Sequence, residues 1–290
     1  MLVIFTDTDT DLTPQKAKEF GYHMISMPYS IDSDTTYPYE DFEEFDAHAF
    51  YDKLRAGALP NTSAISEQNY KDYFEPYFAQ GDDILYVHFS RAMTATFENM
   101  DKAVKELKEK YPGRKFYTVD TKGITIGSLN IVEEIGDLYQ QGKTAEEIIE
   151  WAETEVDKFA VYFFADDLKF FKHSGRVSGL AGTMGTLLGI RPIIYMSEEG
   201  KMVSVGKEKG KAKAVARLVS YVEQLGDEIE KHRVILAHTD APELVEELRA
   251  QLIEKFGELN FELVDVNPTA GSHCGPNTVG VSFHAKRRTL

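Results

Sequence analysis

The chain has 290 residues, 42% of them hydrophobic, enough to bury one large core or two moderate ones. Its 48 acidic and 32 basic side chains leave a formal charge of −16, which repels nucleic acid and anionic membranes and sets both aside as partners. A single cysteine, Cys274, excludes an internal disulfide framework and fits a reducing compartment.

The opening MLVIFTDTDTDL has neither the basic start nor the long apolar run of a signal peptide. No segment approaches the ~20 apolar residues that span a bilayer, so a cytoplasmic protein without a membrane span is expected. Short apolar runs predict strands over residues 2–5, 24–31, 84–88, 115–119 and 159–164, and later over 192–196, 201–205, 234–238, 261–266 and 279–283. Thr13-Pro14 supplies an N-cap and first-turn proline. Thr144 with Glu147 and Asp240 with Glu243 read as capping boxes, and helices are expected to start at Ser66 and at Thr94 or Ala95. Ser197-Glu198-Glu199-Gly200 reads as a hairpin turn. These elements predict an α/β chain of two domains: residues 1–155 with a doubly wound, mostly parallel sheet and flanking helices, and residues 156–290 with a mixed sheet.

Chemistry concentrates in three turns. NTSAIS (61–66) and SRAMTAT (90–96) each place hydroxyls at the start of a helix, where unpaired N–H groups favour an anion. GSHCGPN (271–277) sets His273 among small residues, with Gly271 and Gly275 allowing close backbone approach. Read singly, each serine or threonine is a helix cap; together the turns describe a receptor for a small anion. His273 and Cys274 are neighbours, and in an extended segment they point apart, which disfavours a thiolate–imidazole pair. The histidines have no metal-ligand spacing, so neither a metal nor a cofactor is expected.

FTDTDTDL (5–12) offers a rival reading. Asp7 and Asp9 follow the first strand as in aspartate-based phosphatases, which gives a magnesium-dependent phosphohydrolase as the alternative function. Asp11 stands where that family prefers threonine or valine, and no downstream acidic partner is evident. A plainer reading gives Asp7 or Thr8 to the loop and places Asp11 before the Thr13 cap. Residues 166–196 set Gly175, Gly179, Gly182, Gly185 and Gly189 among Phe170, Phe171, Leu180, Leu187 and Leu188, a pattern that fits tight packing or an apolar guest. Arg176 and Arg191 in that block are expected to meet carboxylates or carbonyls. Lys207, Lys209, Lys211, Lys213 and Arg217 form a basic run that reads as a solvated helix face or as a docking surface.

These blocks in this order resemble the DegV family of bacterial fatty-acid-binding proteins. The likeness rests on the aspartate-rich opening, TSAIS (62–66), SRAMTAT (90–96), DLKFFKHSGRVS (167–178), GIRPI (189–193) and HCGP (273–276). It implies a non-catalytic carrier that holds one long-chain fatty acid, with the carboxylate between the domains and the tail buried in the C-terminal one. Thr62, Thr94 and His273 are the implied carboxylate ligands, with Ser63, Ser90 and Arg176 in support. A protonated His273 would serve an anion best. The resemblance also implies a fatty acid kinase as a protein partner. Ala95 replaces a glycine common in the family, and so does Asn277, which tolerates left-handed geometry.

Overall fold

In β1 (Leu2–Asp7) alternate side chains take opposite faces. Phe5 enters an aromatic core with Tyr70, Phe74 and Tyr86, whereas Ile4 enters one with Leu85, Val87 and Leu129. Asp7 then caps a single 3₁₀ turn (Thr8–Thr10), and Thr13 caps α1 (Pro14–Phe20) as expected. The computed structural model describes residues 1–178 and 189–290. Positions Gly179, Leu180, Gly182, Gly185, Leu187 and Leu188 of the glycine-punctuated block therefore lie outside the described residues.

The strand expected over 24–31 is two strands. β2 (Tyr22–Ile25) ends before Ser26, and β3 (Tyr29–Ile31) opens a separate small sheet with β4 (Asp34–Thr36) and, after α2 (Ala47–Arg55), β5 (Asn61–Thr62). Pro28 has no N–H, and Met27 donates its own to Thr8 Oγ1 at 2.9 Å, so the ladder stops there. α3 (Glu67–Gln80) starts under a capping box of Ser66 with Asn69, and β6 (Asp83–His88) follows. α4 (Thr96–Lys110) starts after Ala95, whose right-handed backbone needs no glycine. With β7 (Phe116–Asp120) the first sheet runs β2-β1-β6-β7, parallel throughout. The chain leaves β1 toward opposite edges, so the topological switch point lies between β1 and β6.

Helices α5 (Ile126–Gln140) and α6 (Ala145–Glu155) lead into the second sheet. Its members are β8 (Phe159–Phe164), then, past α7 (Lys169–Ser174), β9 (Val177–Ser178), β10 (Ile190–Met196) and β11 (Met202–Lys209). After α8 (Lys211–Leu225) come β12 (Arg233–His238), α9 (Pro242–Phe256), β13 (Asn260–Asp265), α10 (Pro268–Cys274) and β14 (Val279–His284). The order β13-β12-β14-β8-β10-β11-β9 mixes parallel and antiparallel pairs, and β10 and β11 form the expected hairpin. One face, with Tyr162, Phe164 and Leu236, packs on α8 and α9. The other, with Val161, Phe163 and Ile235, packs on α5, whose opposite side meets the first sheet. The result is a two-domain α/β fold with α5 buried between the sheets.

The capping box expected at Asp240 does not form. α9 starts under Ala241, and Asp240 instead pairs with Arg55 and His48 of α2, whose side chains take the carboxylate that would cap the helix. Among the described residues no helix is long and apolar enough to cross a membrane.

Candidate ligand-binding site

The turns after β1, β6 and β7 meet β5 and α10 around a small polar chamber. This is the carboxyl end of the parallel strands, beside the switch point, where open α/β sheets bind ligands. Thr62, Ser63, Thr94, Arg176 and His273 all line it, so five residues from four distant blocks come together. Ser90 does not line it. Its buried hydroxyl donates to the Gly200 carbonyl at 2.7 Å, which fastens the β10–β11 turn to the first sheet and leaves no donor for a ligand.

His273 stands in the last turn of α10, and the segment is helical rather than extended. Asn267 caps this helix and also donates, through its backbone N–H and its Nδ2, to Asp11 Oδ1 at 2.9 and 2.6 Å. Thr269 Oγ1 donates to the Met27 carbonyl at 2.7 Å. The two glycines do permit close approach, but toward packing partners. A Cβ on Gly271 would stand 2.3 Å from the Tyr51 hydroxyl, and one on Gly275, at φ +69°, 2.1 Å from the Phe170 ring. Asn277 adopts φ 63°, the left-handed geometry expected of it.

His273 Nε2 and Thr62 Oγ1 are hydrogen-bonded at 3.0 Å, and Nδ1 is buried with no partner among the described residues. Burial, then the neighbouring Arg176 and His173, hold the imidazole down to about 4. His273 is therefore neutral at pH 7, not the cation that would serve an anion best. With its proton on Nε2 it donates to Thr62 Oγ1, freeing the threonine hydrogen to donate to an anion. Thr94 Oγ1 accepts from the Thr96 N–H at 3.2 Å, which orients it at the chamber wall. Arg176 is exposed and donates to the Ser174 carbonyl.

A second, apolar chamber adjoins the first at His273 and Ile124, which line both. Its walls are Ile126 from α5, Val161 and Phe163 from β8, Ala237 from β12 and Val266 and Ala270 around the start of α10. Sequence reading did not single out Ile126, Val161, Ala237, Val266 or Ala270, since each reads as ordinary strand or helix core.

Asp7 and Asp9 do not form a phosphatase centre. Asp7 accepts from the Asp9 N–H, the Phe89 N–H and the Tyr86 hydroxyl, which tie both its oxygens to the fold, and burial pushes it up to about 7. Among the described residues the only cluster of metal-ligating groups is His48, Asp52 and Asp240, remote from both in sequence and already tied to Arg55. Cys274 is pushed up to about 12 by burial, so its thiol stays protonated. Arg191 pairs with Asp166, as expected. The basic run is split between β11 and α8, where Arg217 pairs with Glu208 at 2.8 Å and Lys211 with Asp166 at 3.5 Å, rather than forming one helix face.

Known proteins resemble this chain along almost its whole length. The profile of the family described as "Uncharacterised protein, DegV family" matches residues 1–286. A DegV domain-containing protein of Clostridium perfringens is 32% identical over 281 residues, covering 97% of this chain and 96% of its own. Among solved structures, a fatty-acid-binding DegV family protein of Thermus thermophilus superposes with a TM-score of 0.86 at 22% identity, covering 98% of this chain and 99% of its own. A stearic-acid-binding protein of Eubacterium ventriosum gives 0.87 at 18% identity, with 99% of each chain covered. At these identities the structural likenesses establish the fold.

Proposed function

The chain belongs to the DegV family, and from that premise we propose that it is a non-catalytic carrier of one long-chain fatty acid. The carboxylate occupies the polar chamber against Thr62, Thr94 and His273, with Ser63 and Arg176 beside it, between a domain of residues 1–155 and one of 156–290. The tail passes Ile124 into the apolar chamber of the C-terminal domain. The observation that carries this reading is the junction itself: a hydroxyl-rich chamber and an apolar one share His273 and Ile124. The fatty-acid and stearic-acid ligands of the Thermus and Eubacterium proteins are in keeping with it.

The energetics suit such a ligand. Burying ~14 methylenes at ~0.8 kcal/mol each yields on the order of 11 kcal/mol. Association costs ~4–15 kcal/mol, so little surplus is left to offset an unpaired head group. A buried carboxylate therefore needs donors such as the hydroxyls gathered here, with His273 orienting that of Thr62. Organic extraction of the purified protein followed by mass spectrometry tests the proposal. It should release about one fatty acid per chain; recovery of none, with no uptake of added palmitate or oleate, would refute it. Presentation of the bound acid to a fatty acid kinase belongs to the same reading. Reversing Lys207, Lys209 and Lys213 should lower phosphorylation of the bound acid while leaving lipid binding intact.

A further inference from the structure

A head group beside Thr62 and His273 also meets Asp9, which lines the same chamber from the 3₁₀ turn after β1. Asp9 is 6% exposed, and among the described residues its Oδ1 is buried without a hydrogen-bond partner. Thr125 donates its N–H to the Asp9 carbonyl at 2.7 Å, which fixes the backbone that carries this side chain. The packing around Asp9 offers it little compensation. Asp7 and Asp11 flank it on its own segment, and His273 and Cys274 stand on α10. His88 ends β6, and Asp120 at the end of β7 acts on Asp7. Arg176 is the one full cation lining the chamber among the described residues, and it is exposed and already donates to Ser174.

Burial, then the charges of Asp7 and Asp11, push the Asp9 carboxyl well above the ordinary range. An ionised Asp9 would also repel any carboxylate brought into the chamber, because two carboxylates sharing one site do not both ionise readily. A neutral carboxyl reverses the sign of that contact, since its O–H is a donor to an anion.

We infer that Asp9 binds the ligand in its acid form, donating its O–H to the bound carboxylate so that the two carboxyl groups share one proton. The inference rests on the fatty-acid reading and adds to it a requirement for a proton. No covalent bond is made or broken; where free Asp9 is ionised, binding takes one proton from solvent. The ligand class follows as a long-chain monocarboxylate, whose oxygen can accept that proton.

The test is the affinity for a fluorescent long-chain fatty acid from about pH 6 to 9.5, together with the infrared carbonyl stretch of protonated carboxylic acids. Wild-type affinity should fall about tenfold per pH unit above the pKa of free Asp9. Asp9→Asn keeps an N–H donor and cannot titrate, so it should bind within a few-fold of wild type at pH 6 with a flat profile. It should also lack one protonated-acid band that shifts on ligand addition in the wild type. Asp9→Ser serves the same purpose if the asparagine variant does not fold. His273→Gln should keep the alkaline slope. A flat wild-type profile, or the same slope in the Asp9 variants, overturns the inference while leaving the carrier reading intact. Failure of the wild type to bind any fatty acid at any pH overturns the carrier reading itself.

Discussion

The polar and apolar chambers share two residues yet are built in opposite ways. The polar chamber is assembled largely from turns, and hydrogen bonds already orient several of its groups, such as Thr94 by the Thr96 N–H and His273 by Thr62. The apolar chamber is assembled from helices α5 and α10 and strands of the second sheet, whose side chains do not close the space between α5 and that sheet. One is defined by what its groups donate, the other by what is missing. Head-group recognition should therefore respond to single polar atoms, and tail binding to volume.

The largest effect is expected from volume. Ala237→Leu adds bulk to the apolar wall and should displace several methylenes of a long chain, each worth ~0.8 kcal/mol. Affinity for palmitate should fall about 100-fold or more, with much less change for an eight-carbon acid. Equal losses for both lengths would break the distinction between the chambers. Thr62→Ala and His273→Ala should each cost about 1–3 kcal/mol of binding, the loss of a buried polar partner. Titration of acids of several lengths should show the same cost at every length.

A third expectation concerns pH and stability. Burial raises Asp7 and Asp11 from 3.8 to about 7, and Glu133, beside Glu262, from 4.5 to about 7. Between those values the folded chain holds protons that the unfolded chain has released, so stability is lost as pH rises toward about 7. His273, lowered from 6.5 to about 4, acts with the opposite sign between those two values. Above about pH 6.5 only the acids contribute, and the ligand-free Tm should decline toward about pH 8 in calorimetry. Asp11→Asn, which keeps an acceptor for Asn267, should reduce the decline; a rising Tm would contradict these shifts. The smallest effect on binding is expected at Ser90. Ser90→Ala should leave fatty-acid affinity within about twofold while costing ~1 kcal/mol of stability, because its hydroxyl serves Gly200.

The sequence makes the strand–helix alternation, the hairpin and the hydroxyl turns legible, because each depends on neighbouring residues. Pro28 misleads when the apolar run across it is read as one strand, since a missing N–H outweighs continuous hydrophobicity. Ser90 looks like a ligand donor because its partner, Gly200, lies 110 residues away. Asp11 likewise reads as a loop residue, although it anchors Asn267 across 256 residues and so sets the helix that carries His273. The neutral state of His273 follows from burial that only the assembled fold creates. The apolar chamber is illegible for a simpler reason: Val161, Phe163, Ala237 and Val266 look the same in sequence whether they touch one another or face a gap.

A crystal structure with bound palmitate tests most directly whether one molecule spans both chambers. A carboxylate oxygen should lie about 3 Å from Thr62 Oγ1 or His273, with the chain running past Ile124 between Val161, Phe163 and Val266. Palmitate bound elsewhere, or with its head group among the apolar residues, would contradict it.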